Sequence, residues 1–361
     1  MGSDLWYYIF PIIVLIVGFL GYKKPSIGKI LLYVLLFFSM FRGDNVGNDT
    51  KGYMDSSRIE YKNSRISGGI DYEYAVDNIG QETEYGDALL NSIVYRLNLS
   101  GRVIIFSYSL LTFIFLFAAL KRLKINVALA LVFYVFNTHY FFSLSAARQM
   151  AAVSIFLYGV TFLFCNDKRK FLFFFFTILA TMFHTSAIFY IWIFLLRYVK
   201  CSRKLLIIIS SAAVLVTVFF SFNILDLVYN TFDLEYVSNY MGRFDESERG
   251  IKGRIFDVLR FAFILYALIA RTKTNNADTY DVVYCLAIVL MALFTHSNIL
   301  ISRITFYITP FMCLFWSKII IENRCLKNVT FVALLALYLF LAEYEMGIWS
   351  SALRSGYYLM F

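Results

Sequence analysis

Proline is scarce, with three residues in 361. Helix-breaking rings are therefore almost absent, and long helices can run without interruption. Charged residues make up only 16% of the chain, while hydrophobic residues make up 60%. Soluble domains are about 45–50% apolar, so this composition excludes an ordinary soluble fold. Five cysteines, Cys165, Cys201, Cys285, Cys313 and Cys325, show no paired spacing. Neither a disulfide framework nor a zinc knuckle is supported. The sequence also lacks a glycine-rich nucleotide loop, a DxD-like element in its basic connections and a Ser–His–Asp pattern that can be placed. There is no repeat at a fixed period and no low-complexity tract. Alternating ten-residue segments of the kind that build membrane barrels are missing too.

What is present is a series of apolar runs, each close to the length of a bilayer span. The pattern predicts an all-α polytopic membrane protein, a single integral membrane domain over 1–361. Twelve helices are expected, at 5–22, 26–41, 103–120, 125–142, 147–165, 171–183, 186–198, 205–222, 255–270, 280–297, 303–320 and 328–343. The first run, "WYYIFPIIVLIVGFLGY", has no basic leader and no small-residue cleavage site, so it reads as a retained helix. The sixth and seventh helices meet at His184. They form either a re-entrant hairpin or one long helix.

Charge tests this assignment. Alternate connections read "YKK", "KRLK", "NDKRK", "RYVKCSRK", "RTKTNN" and "KIIIENRCLK". All are short and basic, as cytoplasmic loops are. The net charge of +9 is thereby explained without a nucleic-acid partner. An even helix count with both termini outside satisfies all six loops and keeps His184 at an outer turn. Two outer segments, 42–102 and 223–254, are too long for simple turns. Both mix tyrosine with carboxylates, asparagine and arginine. That mixture suits sugar, since rings stack on apolar sugar faces while polar groups bind hydroxyls; an ordered cap over helix ends is the plainer alternative.

His139, His184 and His296 all fall at expected outer helix ends, as do Arg148 and Arg303. The histidines lack an i,i+4 pair and a carboxylate in register, so no metal site is expected. Guanidinium offers a fork of donors matched to phosphate and stays charged at physiological pH. A polyprenyl diphosphate places its tail in the bilayer and its phosphates at the interface, where Arg148 and Arg303 are expected. Ser143, Ser145 and Gln149 make the surroundings of Arg148 polar. An arginine snorkelling to a headgroup is the simpler reading of either position.

Four stretches carry a family resemblance: "FRGDNVGNDTKGY" after the second helix, "ETEYGDALLNSIVYRL" before the third, "ARQMAAVSIFLYG" followed by "LATMFHTSAIFY", and "SRITFYITPF". Together they resemble the Wzy-type O-antigen polymerases and their EpsG-like exopolysaccharide relatives. The first-loop spacing "GDNVGND" departs from that pattern, which bears on Asp49. The resemblance implies a metal-independent glycosyltransferase of class-C type fold, without cofactor, in the bacterial inner membrane. Its active site would face the periplasm, with 42–102 and 223–254 as periplasmic loops. It would transfer a growing glycan from undecaprenyl diphosphate onto a lipid-linked repeat unit, alongside membrane lipid and a chain-length regulator protein. In that scheme Arg148 and Arg303 bind the donor diphosphate, and His184 orients or deprotonates the acceptor hydroxyl. Asp49, Asp44 and Glu84 are alternative bases or sugar ligands, Gln149 assists binding, and Arg243, Arg249 and Arg254 hold polymer or a second diphosphate. A lipid-linked oligosaccharide flippase and an O-antigen ligase are the competing functions.

Overall fold

A computed structural model describes residues 2–44, 46–47, 49–55, 84–137, 139–164, 169–220, 278–294 and 303–322, with isolated helical positions between 261 and 269. All regular structure among the described residues is helical. Two compact units emerge, one built on Met1–Phe194 and the other on Leu195–Met346.

The first unit begins with α1 (Gly2–Lys23) and α2 (Pro25–Met40). Between them Lys24 is extended, and Pro25 starts α2 where its missing N–H costs nothing. Then follow α3 (Tyr85–Arg96), α4 (Arg102–Arg122), α5 (Val127–Phe136), α6 (His139–Ser145), α7 (Ala147–Phe164) and α8 (Phe171–Phe183). The chain continues as a 3₁₀ helix, Thr185–Tyr198. Asn126 caps α5 by accepting the Leu129 N–H at 3.1 Å. Asn98 (φ 52°) and Lys124 (φ 54°) take the left-handed conformation just after α3 and α4. Each closes its helix with a six-to-one bond, Leu99 N–H to Val94 and Ile125 N–H to Leu120.

At the centre of this unit lies α7, packed between α4 and α8. Beyond its first turn its sequence is mostly apolar or small on every side, the pattern of a helix surrounded by protein. Ala147, Ala151, Ala152 and Ser154 are all buried. Gly159 lets α8 come close: a Cβ there would sit 2.8 Å from the Cβ of Phe176. By contrast, α8 exposes Phe171, Phe175, Ile178 and Met182, and α4 exposes Leu110 and Ile114. Such rows of exposed apolar side chains suit lipid rather than water. Length and composition make α4 and α7 able to cross a membrane alone, and α5 with α6 would be a third, bent span. Apolar stretches of 10–17 residues lie at Ile12–Lys23, Pro25–Met40, Phe171–Phe183, Thr185–Tyr198, Thr279–Leu293 and Thr305–Ile321.

Several expectations change. The helix at 125–142 divides into α5 and α6, bent by 66° at a break. Asn137, whose side-chain type competes with helical hydrogen bonds, ends α5 at this break. The outer segment 42–102 contains α3, a twelve-residue helix the apolar pattern did not reveal. Phe194 stacks on Phe173 at 6.2 Å and tilts against Phe174 at 4.9 Å. One straight helix would hold these rings roughly 30 Å apart, so 171–198 is a hairpin with His184 at its turn.

In the second unit, α9 (Arg203–Phe220) packs on α10 (Thr279–Phe294). A 3₁₀ turn, Arg303–Tyr307, precedes α11 (Pro310–Glu322). The helix expected at 303–320 is therefore interrupted, because Pro310 fits the first position of a helix and not its interior. Helix 328–343 and most of helix 255–270 lie outside the described residues.

A capping box starts α10. Asp278 Oδ1 accepts the Asp281 N–H at 2.9 Å, and Asp281 Oδ2 accepts the Asp278 N–H at 3.1 Å. The same Asp281 oxygen takes an Arg203 N–H at 3.2 Å, pinning α9 to α10. Because the Asp281 side chain is wholly buried, Asp281→Ala should destabilise this unit by about 3 kcal/mol. A thermal-melting comparison of purified wild type and variant in detergent checks this.

Candidate active site

Arg148 lies in the first turn of α7. Helix N-termini carry partial positive charge and unsatisfied N–H groups, so a cation there is doubly disfavoured unless anions attend it. The fold supplies two from the start of α3, Glu84 at its N-cap and Asp87 in its first turn. Arg148 Nη1 reaches Glu84 Oε2 at 2.9 Å and Asp87 Oδ2 at 3.0 Å. One guanidinium nitrogen thus holds both carboxylates, while Arg148 Nε is buried with no hydrogen-bond partner among the described residues.

Asp87 is the deeper of the two acids, its side chain 6% exposed against 12% for Glu84. Its Oδ1 accepts the hydroxyl of Tyr108 from α4 and, at 3.2 Å, the Asn91 amide one turn on. The Tyr108 ring meets Tyr53 edge-on at 5.6 Å. Burial pushes the Tyr53 phenol up to about 12, while nearby Arg148 opposes the shift. The Arg148 backbone N–H, one of the open donors of α7, bonds to that phenol.

Glu84 faces the hairpin turn. Its Oε1 accepts the Thr185 N–H at 3.3 Å and stands 3.9 Å from His184 Nδ1. Ser186 donates its backbone N–H to the same ring nitrogen at 3.4 Å, and its hydroxyl is 2.8 Å away. With that backbone N–H donating to it, Nδ1 serves as the acceptor in this contact, and Nε2 is the ring nitrogen placed to donate.

Beside this cluster the first loop is fastened down by Arg42, which is 1% exposed. It donates to the Ser39 carbonyl at 2.7 Å, capping the end of α2, and to Thr50 at 3.2 Å. Thr50 in turn bonds the Val46 carbonyl at 2.6 Å and the Leu144 carbonyl at 3.4 Å. Gly47, at φ +86°, fits against Leu144 only because it has no side chain.

Of the residues expected from sequence, Arg148, Glu84 and His184 come together. Asp44 pairs with Arg102 at the start of α4. The carboxylate of Asp49 lies close enough to bear on Tyr53. Gln149 is buried in α7 beside Arg148, and His139 is buried in α6 with its ring 5.6 Å from Tyr134. Arg303 opens its 3₁₀ turn in the second unit. Arg243, Arg249, Arg254 and His296 lie outside the described residues. The sequence reading missed Asp87, Tyr108, Tyr53 and Arg42. Asp87 carried a usable signal, since it follows Glu84 by three residues and shares its helical face.

The ends of the bundle differ in chemistry. α4 runs from the cluster to Lys121 and Arg122, and α8 runs from Arg169 and Lys170 to His184. The basic residues that end α4 and precede α8 thus lie at the helix ends away from the carboxylate–arginine cluster. A helical membrane protein with a charged, hydrogen-bonded cluster at one end of its bundle is the class these features define. A sequence model of the EpsG family matches residues 26–353, and the chain belongs to that family. The family is polysaccharide-polymerase-like, and membership makes this protein a membrane enzyme of glycosyltransferase type. No curated protein and no solved structure matches the chain.

Proposed function

We propose that this protein is a polysaccharide polymerase of the O-antigen type in the bacterial inner membrane. It moves a growing glycan from undecaprenyl diphosphate onto a lipid-linked repeat unit at the periplasmic face, working with a chain-length regulator. The observation that carries this reading is Arg148, a guanidinium at a helix N-terminus, at the bundle end opposite the basic links. Helix N-termini attract phosphate, and a guanidinium matches its oxygens. Basic links favour the cytoplasmic side, which supports a cluster at the outer face.

The donor diphosphate takes the Arg148 nitrogens that the carboxylates leave open. Its arrival brings negative charge against Glu84 and competes for Nη1. Glu84, the more exposed acid, is released. Asp87 stays, held by Tyr108 and Asn91. The acceptor oxygen then attacks the anomeric carbon and the bond to the diphosphate breaks, with the electron pair leaving on the phosphate oxygen. The acceptor proton passes to the Glu84 carboxylate, while His184 donates through Nε2 to a sugar oxygen and orients it. Asp49, Asp44 and Gln149 contact sugar, and Arg243, Arg249 and Arg254 hold polymer. Negative charge on the leaving group is met by guanidinium, so no metal is required.

The test uses full-length protein in lipid nanodiscs and lipid-linked oligosaccharide extracted from cells deleted for this gene. Purified protein should lengthen the oligosaccharide without lipid A core. Lengthening that needs lipid A core would instead identify a ligase, and no lengthening would sink the reading. Cells lacking the gene should display single-repeat glycan, whereas loss of a flippase leaves none. The rate should be unchanged in excess EDTA.

Glu84→Gln should lower turnover about 10²–10⁴-fold, the range for losing a general base. His184→Gln, which keeps a donor, should lose much less. Single-turnover rates of both variants check the division of labour: a larger loss in His184→Gln than in Glu84→Gln would make His184 the base.

A further inference from the structure

The packing of α3 is inverted. Its buried positions include Asp87 and Asn91, together with Gly86, Ala88 and Val94. Its outer surface carries Tyr85, Leu89, Ile93 and Leu97, which are 45–64% exposed. These four positions recur every fourth residue and form one ridge along the helix. In water such a ridge would be an unsupported apolar patch on a helix whose polar groups face inward.

We propose that α3 lies in the membrane interface, with this ridge seated among the acyl chains of the leaflet at the site end of the bundle. Continuity with the surfaces it joins identifies the occupant. α3 packs on α4 and α8. Gly86 abuts the Met182 carbonyl, at 2.8 Å from where a Cβ would stand. Met182 ends the exposed row Phe171, Phe175, Ile178 on α8, so the ridge of α3 begins where that lipid-facing row stops. Arg96, exposed in the last turn, is placed to reach lipid phosphate while the apolar side chains enter the hydrocarbon edge.

The consequence bears on the reaction, and to that extent rests on the polymerase reading. The helix that dips its outer surface in lipid holds Glu84 and Asp87 on its inner surface, against Arg148. The cluster therefore sits at headgroup depth, where the diphosphate of a lipid-linked donor lies.

The immersion is tested without any substrate. Single cysteines replace Leu89, Ile93 and Asn98 in a full-length background with the native cysteines changed to alanine. Each carries a nitroxide label, and the protein is reconstituted in phosphatidylethanolamine–phosphatidylglycerol vesicles. Oxygen partitions into lipid and a nickel chelate stays in water. The oxygen-to-nickel collision ratio at 89 and 93 should exceed that at 98 by at least about threefold. Equal ratios at the three positions would place the ridge in water and overturn the proposal. Low collision with both reagents at 89 and 93 would mean that protein covers the ridge, and would overturn it as well. Failure of the polymerase assay leaves this measurement unaffected, so the two readings fail separately.

Discussion

Arg148→Ala should abolish the polysaccharide ladder in cells and reduce chain extension by purified protein by on the order of 10²–10³-fold. Two effects contribute. The donor diphosphate loses its guanidinium, and Glu84 and Asp87 are left facing each other without a cation. Breaking a buried ion pair by removing one partner costs about 3–5 kcal/mol, so alanine also weakens the fold. Lysine separates the two effects. One nitrogen of Arg148 holds both carboxylates, at 2.9 and 3.0 Å, and a single ammonium can replace it. Arg148→Lys should therefore melt near wild type yet lose most activity, because it offers no fork to phosphate. Normal extension by Arg148→Lys would refute bidentate recognition, and a normal ladder with Arg148→Ala would refute the assignment of Arg148 altogether.

The second large effect is expected at Asp87. Asp87→Ala removes the acceptor of the buried Tyr108 hydroxyl, the partner of Asn91 and the deeper anchor of Arg148. A loss of about 3–5 kcal/mol should follow, seen as a lowered melting temperature. Tyr108→Phe takes away only one hydrogen bond to a charged group and should cost about 1.5–3 kcal/mol. Asp87→Asn keeps an acceptor for Tyr108 but drops the charge, so its fold should suffer less than its activity. Equal melting of wild type and Asp87→Ala would show that Asp87 does not anchor the cluster.

Arg148 and Glu84 are far apart in sequence, and that distance explains how the site was partly legible. Arg148 was visible because a permanent charge stood out at the edge of an apolar run. His184 was visible because two short apolar runs met there. Asp87 was missed because it lay in a long polar segment, where a carboxylate draws no notice. α3 was missed for a related reason. Its apolar residues occur at helical spacing, but among enough polar residues that the segment does not read as a span.

What the sequence by itself determined is the class of solvent and the polarity of the two ends. Long apolar runs can be stable only in lipid or inside a helical bundle, and clustered lysine and arginine mark one set of links. These are properties of composition and local spacing, needing no knowledge of which helix touches which. Only the tertiary structure decided that Arg148 is neutralised in this state, and by which residues. That depends on α3 crossing beside the start of α7, and on a hairpin turn that brings His184 to Glu84. It also decided which side of α3 faces inward. Periodicity shows that a helix has two unlike surfaces, but in a membrane protein the apolar one can face lipid as readily as core.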